Sequence, residues 1–249
     1  MTFRELLKQN RPVLGLYVNS IDPGLIEIAA DAGLDYIRID MEHGLFGYDE
    51  VRELARTATL SGMPVQVRIS DLTDITKLLD FGVTAIIVPD VNGAQSAKNA
   101  VLQVKYAPLG SRGFNNGPRF LKYSSMKFMD YVERANDEVL LGIQLESKEA
   151  IEHIDEILAV EGVDMVSSGK GDLSQAYGLL GQNTHPMILE KEAYIIQKGL
   201  EYNKIPTVLS VSAERTRELH GLGVNMITIG SDMEIYAQGI RNCLERHSR

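Results

Sequence analysis

Residues 139–146 read VLLGIQLE, a nearly unbroken apolar run that ends on a carboxylate. A strand with water on one side alternates apolar and polar residues. A run that is apolar on both faces is buried on both, the pattern of a parallel sheet covered by helices. The pattern recurs along the chain. VLGLYVN (13–19), YIRIDME (36–42), PVQVRIS (64–70), AIIVPDV (85–91), VDMVSSG (163–169), IPTVLSV (205–211) and MITIGSD (226–232) share its length and its β-branched character, making eight runs in all. Between them lie stretches of helical period, among them YDEVRELARTATLSG (48–62) and SKEAIEHIDEILAVEG (147–162), several closing on the Gly that a helix C-terminus prefers. Eight strand–helix units in 249 residues predict one (β/α)8 TIM barrel as a single domain over residues 1–249. An open doubly wound sheet is the competing arrangement, but no G-x-G-x-x-G follows the first run. The segment 107–138 has no strand of its own; APLGSRGFNNGPRF (107–120) reads as a loop and SMKFMDYVERAN (125–136) as a helix.

Composition narrows the partners. Hydrophobic residues make up 44% of the chain, enough for a full core, and the formal net charge is -9. An acidic surface repels phosphate backbones, so nucleic acid is not expected as a partner. The one cysteine, Cys243, permits no intrachain disulfide. The N-terminal MTFRELLKQNRPVLG carries charges where a secretory signal would have a long apolar stretch, and no run approaches the roughly 20 apolar residues that span a bilayer. These features predict a cytoplasmic protein with no membrane association.

In a barrel of this kind the chemistry sits where the strands end, and the polar residues of this chain gather there. The second run gives Asp40, Glu42 and His43, the third Arg68, the fifth Gln144 and Glu146, and the sixth leads into SGKGDLS (168–174) with Asp172 and Ser174. Carboxylates crowded into a half-dry mouth repel, so they share a proton or hold a cation. A hard divalent ion, Mg2+ or Mn2+, with Co2+ as a further possibility, suits Glu146 and Asp172. The plain alternative is that Glu146 caps a helix while Asp172 pairs with Lys170 or Arg68. Of the five histidines only His43 ends a strand beside acids in the same turn, as a base working near neutral pH requires. Arg68 could pair with Glu42 or Glu146, stabilise a developing oxyanion, or do both. Gly171 would let backbone N–H groups approach a ligand. Arg112 of GSRGFNNG (110–117) could bind an acidic substrate, or its loop could merely cover the mouth.

Taken in order, IDMEHG (39–44), VQVRIS (65–70), TKLLDFG (76–82), IQLES (143–147) and SGKGDLS (168–174) resemble the HpcH/HpaI-type class II pyruvate aldolases, relatives of the citrate lyase β-subunit, and the likeness covers nearly the whole chain. The resemblance implies a barrel of the phosphoenolpyruvate/pyruvate-domain type, a divalent metal, a small 2-oxo acid substrate and a homo-oligomer, a hexamer of paired trimers. It implies Glu146 and Asp172 as metal ligands, and Arg68 on the keto or enolate oxygen of pyruvate. It further implies His43 assisted by Asp80 in proton transfer, Gln144 lining the site, and the N–H groups of Gly171 and Asp172 on the substrate carboxylate. Two departures stand out. Lys170 occupies the place of a family proline, and RGFNNG (112–117) replaces the usual R-G-V-G. The implied activity is aldol cleavage of a 4-hydroxy-2-oxo acid to pyruvate and an aldehyde without a Schiff-base lysine. An acyl-CoA ester lyase on the same scaffold and a non-catalytic ligand-binding barrel are the rival readings.

Overall fold

The structure is a computed structural model that describes residues 1–114 and 126–247. Eight strands close into a barrel in sequence order: β1 (Val13–Val18), β2 (Tyr36–Asp40), β3 (Val65–Arg68), β4 (Ala85–Val88), β5 (Leu140–Leu145), β6 (Met165–Ser168), β7 (Ile205–Leu209) and β8 (Met226–Ser231). Each pairs in parallel with the next, and β8 returns to β1 with Val13 opposite Met226. Parallel neighbours need a crossover connection, and a helical segment follows every strand, from Pro23–Asp31 after β1 to Asp232–His247 after β8. All eight expected strands form, and the segment after β4 holds no strand among its described residues. The helix expected at 125–136 forms at Phe128–Glu138, while residues 115–125, including most of the GFNNG loop, lie outside the described residues.

The core has two layers because the strands are covered on both faces. On the outer side, Ile37, Ile39, Val65, Val67, Leu141 and Ile143 pack against helix residues such as Val51, Leu54, Ala97 and Ile157. Inside the barrel, Val13, Tyr36, Ala85, Ile87, Leu140, Met165 and Met226 cluster with Phe3 and Leu6 of the short helix Phe3–Leu7. Val13, Ala85, Leu140 and Met226 are the first residues of their strands, so that helix plugs the N-terminal end. Gly15 makes room for the Tyr36 ring, since a Cβ there would sit 2.1 Å from it. Burying a Leu, Ile or Phe side chain stabilises by roughly 1.5–3 kcal/mol, so the apolar end of the barrel can support an unfavourable polar arrangement at the other.

The strands stop earlier than the sequence suggests. β2 ends at Asp40, β4 at Val88 and β6 at Ser168, and the chain leaves the strand ladder there. After β2 the Gly44 N–H donates to the Asp40 carbonyl and the Glu42 N–H to Asp40 Oδ1, closing a tight turn. Glu42 and His43 thus stand on a turn at the C-terminal mouth, while Asp40 and Arg68 are the last residues of β2 and β3.

Candidate active site

Three carboxylates converge at that mouth. Single oxygens of Glu42, Asp90 and Glu146 lie within 4.8 Å of one another. Glu146 follows β5 and is buried, with Gln144 Nε2 donating to its Oε2 at 2.7 Å and the Asp90 N–H to its Oε1 at 2.8 Å. Asp90 follows β4 in the left-handed region (φ 55), a conformation uncommon for a residue with a Cβ. That conformation accompanies both the hydrogen bond to Glu146 and the approach of the Asp90 carboxylate. The sequence reading did not single out Asp90, although it lies within AIIVPDV (85–91). Applied to the fourth run, the strand-end rule that yielded Glu146 would have found it.

Burial governs the protonation of Glu146 and Glu42. It raises the Glu146 carboxyl to about 7, although the hydrogen bonds from Asp90 and Gln144 favour the charged form. It raises the Glu42 carboxyl as well, against the pull of Arg68 and His43. Glu42 Oε2 is also a buried oxygen with no hydrogen bond, standing 2.7 Å from Arg68 Nη1 as an ion pair without hydrogen-bond alignment. Two partly or fully buried carboxylates, one with an unsatisfied oxygen, and an exposed third within reach are a donor set that a hard divalent cation relieves. The three residues could hold a metal ion.

Arg68 ends β3 and is nine-tenths buried. Its Nε and Nη2 form a fork onto Asp40, at 2.9 Å to Oδ1 and 2.6 Å to Oδ2. Burial opposes ionisation of Asp40, but the Arg68 hydrogen bonds outweigh it and hold that carboxyl below the usual range. Arg68 is kept charged by the same contacts. Its expected partner Glu42 is confirmed at 2.7 Å, and Asp40 is the stronger one. His43 does not end a strand; it stands in the turn three residues after β2, largely exposed, with Nε2 3.9 Å from Glu42 Oε2.

The β6 turn approaches Glu146 from the other side. A Cβ on Gly169 would fall 2.0 Å from Glu146 Oε2, whereas one on Gly171 would meet nothing within 4 Å. The glycine that close approach demands is therefore Gly169. Asp172 is exposed in the first turn of the helix Lys170–Ala176 and is not one of the three converging acids. Lys170 carries no unpaired amine: its Nζ lies 2.9 Å from Oε1 of Glu192, a fully buried acid on the helix Pro186–Glu201, whose Oε2 takes Arg215 Nη2 at 2.5 Å. Glu192 was not legible in the sequence as a mouth residue, because only the folded helix face brings it beneath Lys170.

Asp80 lies elsewhere. It is the last residue of the helix Ile75–Asp80, which runs back from the end of β3 toward the start of β4, so it sits at the N-terminal end of the barrel. There it accepts from Arg112 Nη2 at 3.1 Å. Arg112 is buried with its guanidinium 4.7 Å from the Tyr106 ring centre. Within one chain, then, the structure does not bring Asp80 to His43, and Arg112 neither lines nor covers the mouth. The proximity of TKLLDFG to the strand-end motifs in sequence is undone by the direction of the helix between them.

Comparison with known proteins agrees with this architecture. Residues 13–238 match the sequence model of the HpcH/HpaI aldolase/citrate lyase family. The chain is 35% identical over 246 residues to a hydroxypyruvate/pyruvate aldolase of Deinococcus radiodurans, covering 96% of this chain and 87% of that protein. It is 32% identical over 241 residues to a 4-hydroxy-2-oxo-heptane-1,7-dioate aldolase of Escherichia coli, covering 95% and 91%. The crystal structure of an HpcH/HpaI aldolase from Desulfitobacterium hafniense superposes with a TM-score of 0.90 at 30% identity, over 98% of this chain and 97% of that one. With its closed parallel barrel and its acids gathered at the C-terminal mouth, the chain belongs to the HpcH/HpaI aldolase/citrate lyase family, and it is an aldolase, a carbon–carbon lyase.

Proposed function

We propose that the protein cleaves a 4-hydroxy-2-oxo acid to pyruvate and an aldehyde, with Mg2+ or Mn2+ held by Glu146 and a second mouth carboxylate. The observation that supports this reading is the convergence of Glu42, Asp90 and Glu146 beside the Arg68 guanidinium. Bound there, the ion would supply Lewis-acid stabilisation of negative charge on the 2-oxo group. The chain's own residues do the rest. Arg68 is held rigidly by Asp40, and its Nη1, which has no aligned hydrogen bond to Glu42, is the edge left to donate to the keto oxygen. As the C3–C4 bond breaks, its electrons pass to the pyruvate enolate, and a fixed guanidinium is worth most where that charge develops. His43, oriented by Glu42, takes the proton of the 4-hydroxyl and returns it to C3. Gln144 lines the floor, and the N–H groups of Gly171 and Asp172 hold the substrate carboxylate, with Asp172 also offered to the ion from the rim. This chemistry calls for no Schiff base, and Lys170 is engaged by Glu192.

A panel of 4-hydroxy-2-oxo acids and acyl-CoA esters, assayed with Mg2+ or Mn2+ and coupled to pyruvate detection, tests the substrate class. Pyruvate release from the free acids is expected. Turnover confined to the CoA esters would replace this reading with the acyl-CoA lyase one.

We also propose a homo-oligomer, and the terminal helix supports it. Of the 16 residues in Asp232–His247 only Asp232 is buried, while Met233, Ile235, Tyr236, Ile240 and Leu244 are exposed. Apolar side chains in this number on one helix are covered in stable proteins, and a second copy of the chain is the proposed cover. No helix among the described residues is long and apolar enough to cross a membrane. Light scattering should report a hexamer; a monomer at micromolar concentration would contradict it.

A further inference from the structure

Arg38 is a buried cation that neither the aldolase chemistry above nor the packing of the barrel calls for. It lies on β2 and is 3% exposed. Its Nη2 donates to Oε1 of Gln144 on β5 at 3.2 Å. β2 and β5 are not neighbours in the closed barrel, so this bond crosses the interior. The guanidinium carbon lies 4.7 Å from the ring centre of Tyr17, on β1. Its Nε is buried without a partner, and no carboxylate among the described residues stands in ion-pair contact with it. Asp40, two residues on along β2, feels its charge but stands outside ion-pair distance. A desolvated charge with no ion-pair partner is unfavourable by several kcal/mol. On grounds of stability alone an apolar residue of similar length would serve better at this position.

What Arg38 does touch leads directly to the metal-binding acid. A primary amide has an accepting end and a donating end. With its oxygen engaged by Arg38, Gln144 must turn its NH2 outward, where it donates to Glu146 Oε2 at 2.7 Å. Reversed, the amide would set its NH2 against the guanidinium and its oxygen against the carboxylate, and both contacts would be repulsive. Arg38 therefore decides which way Gln144 points, and Gln144 in turn fixes the Glu146 oxygen that the Asp90 N–H does not hold.

We propose that Arg38 is a positioning residue for Glu146, acting through the Gln144 amide; the proposal rests on the reading that Glu146 ligates a divalent ion. Groups that orient a ligand in this way typically change metal affinity by roughly 10–100-fold when removed. The test is a double-mutant cycle on Mn2+ affinity, measured by calorimetry with the full-length protein: wild type, Arg38→Met, Gln144→Met and the pair, with melting temperatures taken without metal. Each single variant should bind Mn2+ about tenfold more weakly, and the pair no more weakly than the worse single, because both break one chain of contacts. Arg38→Lys, which keeps a charged donor, should recover part of the loss. The metal-free melting temperature of Arg38→Met should equal or exceed that of wild type. Wild-type affinity in Arg38→Met, or losses that multiply in the pair, would overturn the proposal. So would a lowered melting temperature or failure to fold, which assigns Arg38 a structural role. Wild-type protein that binds no Mn2+ would remove the metal reading itself, and this proposal with it.

Discussion

Glu146→Gln removes a charge that the fold desolvates while leaving the side chain nearly the same shape. Burial lifts this carboxyl from 4.5 to about 7. At roughly 1.4 kcal/mol for each tenfold change in proton affinity, that difference corresponds to about 3 kcal/mol, an upper figure because water and relaxation soften it. The folded state holds the Glu146 proton more tightly than the unfolded chain does. Stability from this group is therefore fully present below about pH 4.5, falls as pH rises, and levels off above about 7. The glutamine has no such dependence. Its NH2 must face either the Asp90 N–H or the Gln144 amide, both donors to Glu146, which lowers the variant's stability by about 1 kcal/mol at every pH. Thermal melts of both proteins with EDTA at pH 5, 6, 7 and 8 isolate the effect as a difference. Wild type should lose up to about 3 kcal/mol relative to the variant between pH 5 and 8, near 6–12 °C for a chain of this size. Excess Mg2+ at pH 8 should restore the loss in wild type and not in the variant. A difference that stays flat from pH 5 to 8 would refute the account of a desolvated, cation-seeking carboxylate.

Other substitutions probe the remaining parts. Gly169→Ala places a Cβ 2.0 Å from Glu146 Oε2, so the carboxylate or the turn must move; the melting temperature should fall by an amount equivalent to about 1–3 kcal/mol and Mn2+ titration should show affinity at least tenfold weaker. Arg68→Lys keeps the charge but loses the fork onto Asp40, and steady-state kinetics should show kcat reduced about 100-fold, against little change if charge alone suffices. Asp172→Asn and Asp90→Asn, compared by Mn2+ titration, identify the second ligand: the variant with the larger loss of affinity names it, and equal wild-type affinity in both would leave Glu42 as the partner of Glu146.

The fold was legible because its main signal is simple. Eight runs apolar on both faces admit few arrangements, and each begins within two residues of an observed strand. Strand ends were less so. Asp40, Arg68 and Glu146 stand at or just past the C-terminal ends of their strands, where the apolar runs place them, yet the chain leaves the ladder before Glu42, His43 and Asp90, and these residues owe their positions to turns. Asp90 hid behind Pro89 in a run whose apolar part drew attention, and its left-handed backbone has no signature in sequence. Arg38 and Glu192 were missed for a common reason. Arg38 lies within a mostly apolar run and Glu192 is one of several charged residues on an amphipathic helix, and which face each occupies depends on barrel closure or helix packing that only the folded chain supplies. Asp80 shows the converse: sequence neighbours of a site motif can be carried to the far end of the barrel by one helix.

The most direct test of the whole account is exchange of the pyruvate methyl protons with deuterated water, followed by proton NMR. Formation of the enolate is the shared core of aldol cleavage and condensation, and the assay needs no knowledge of the aldehyde. The protein with Mg2+ or Mn2+ should catalyse this exchange, and both EDTA and Glu146→Ala should abolish it. Absence of exchange in the metal-supplemented protein, or exchange undiminished by EDTA and by Glu146→Ala, would contradict a metal-assisted pyruvate aldolase built on the acids of this mouth.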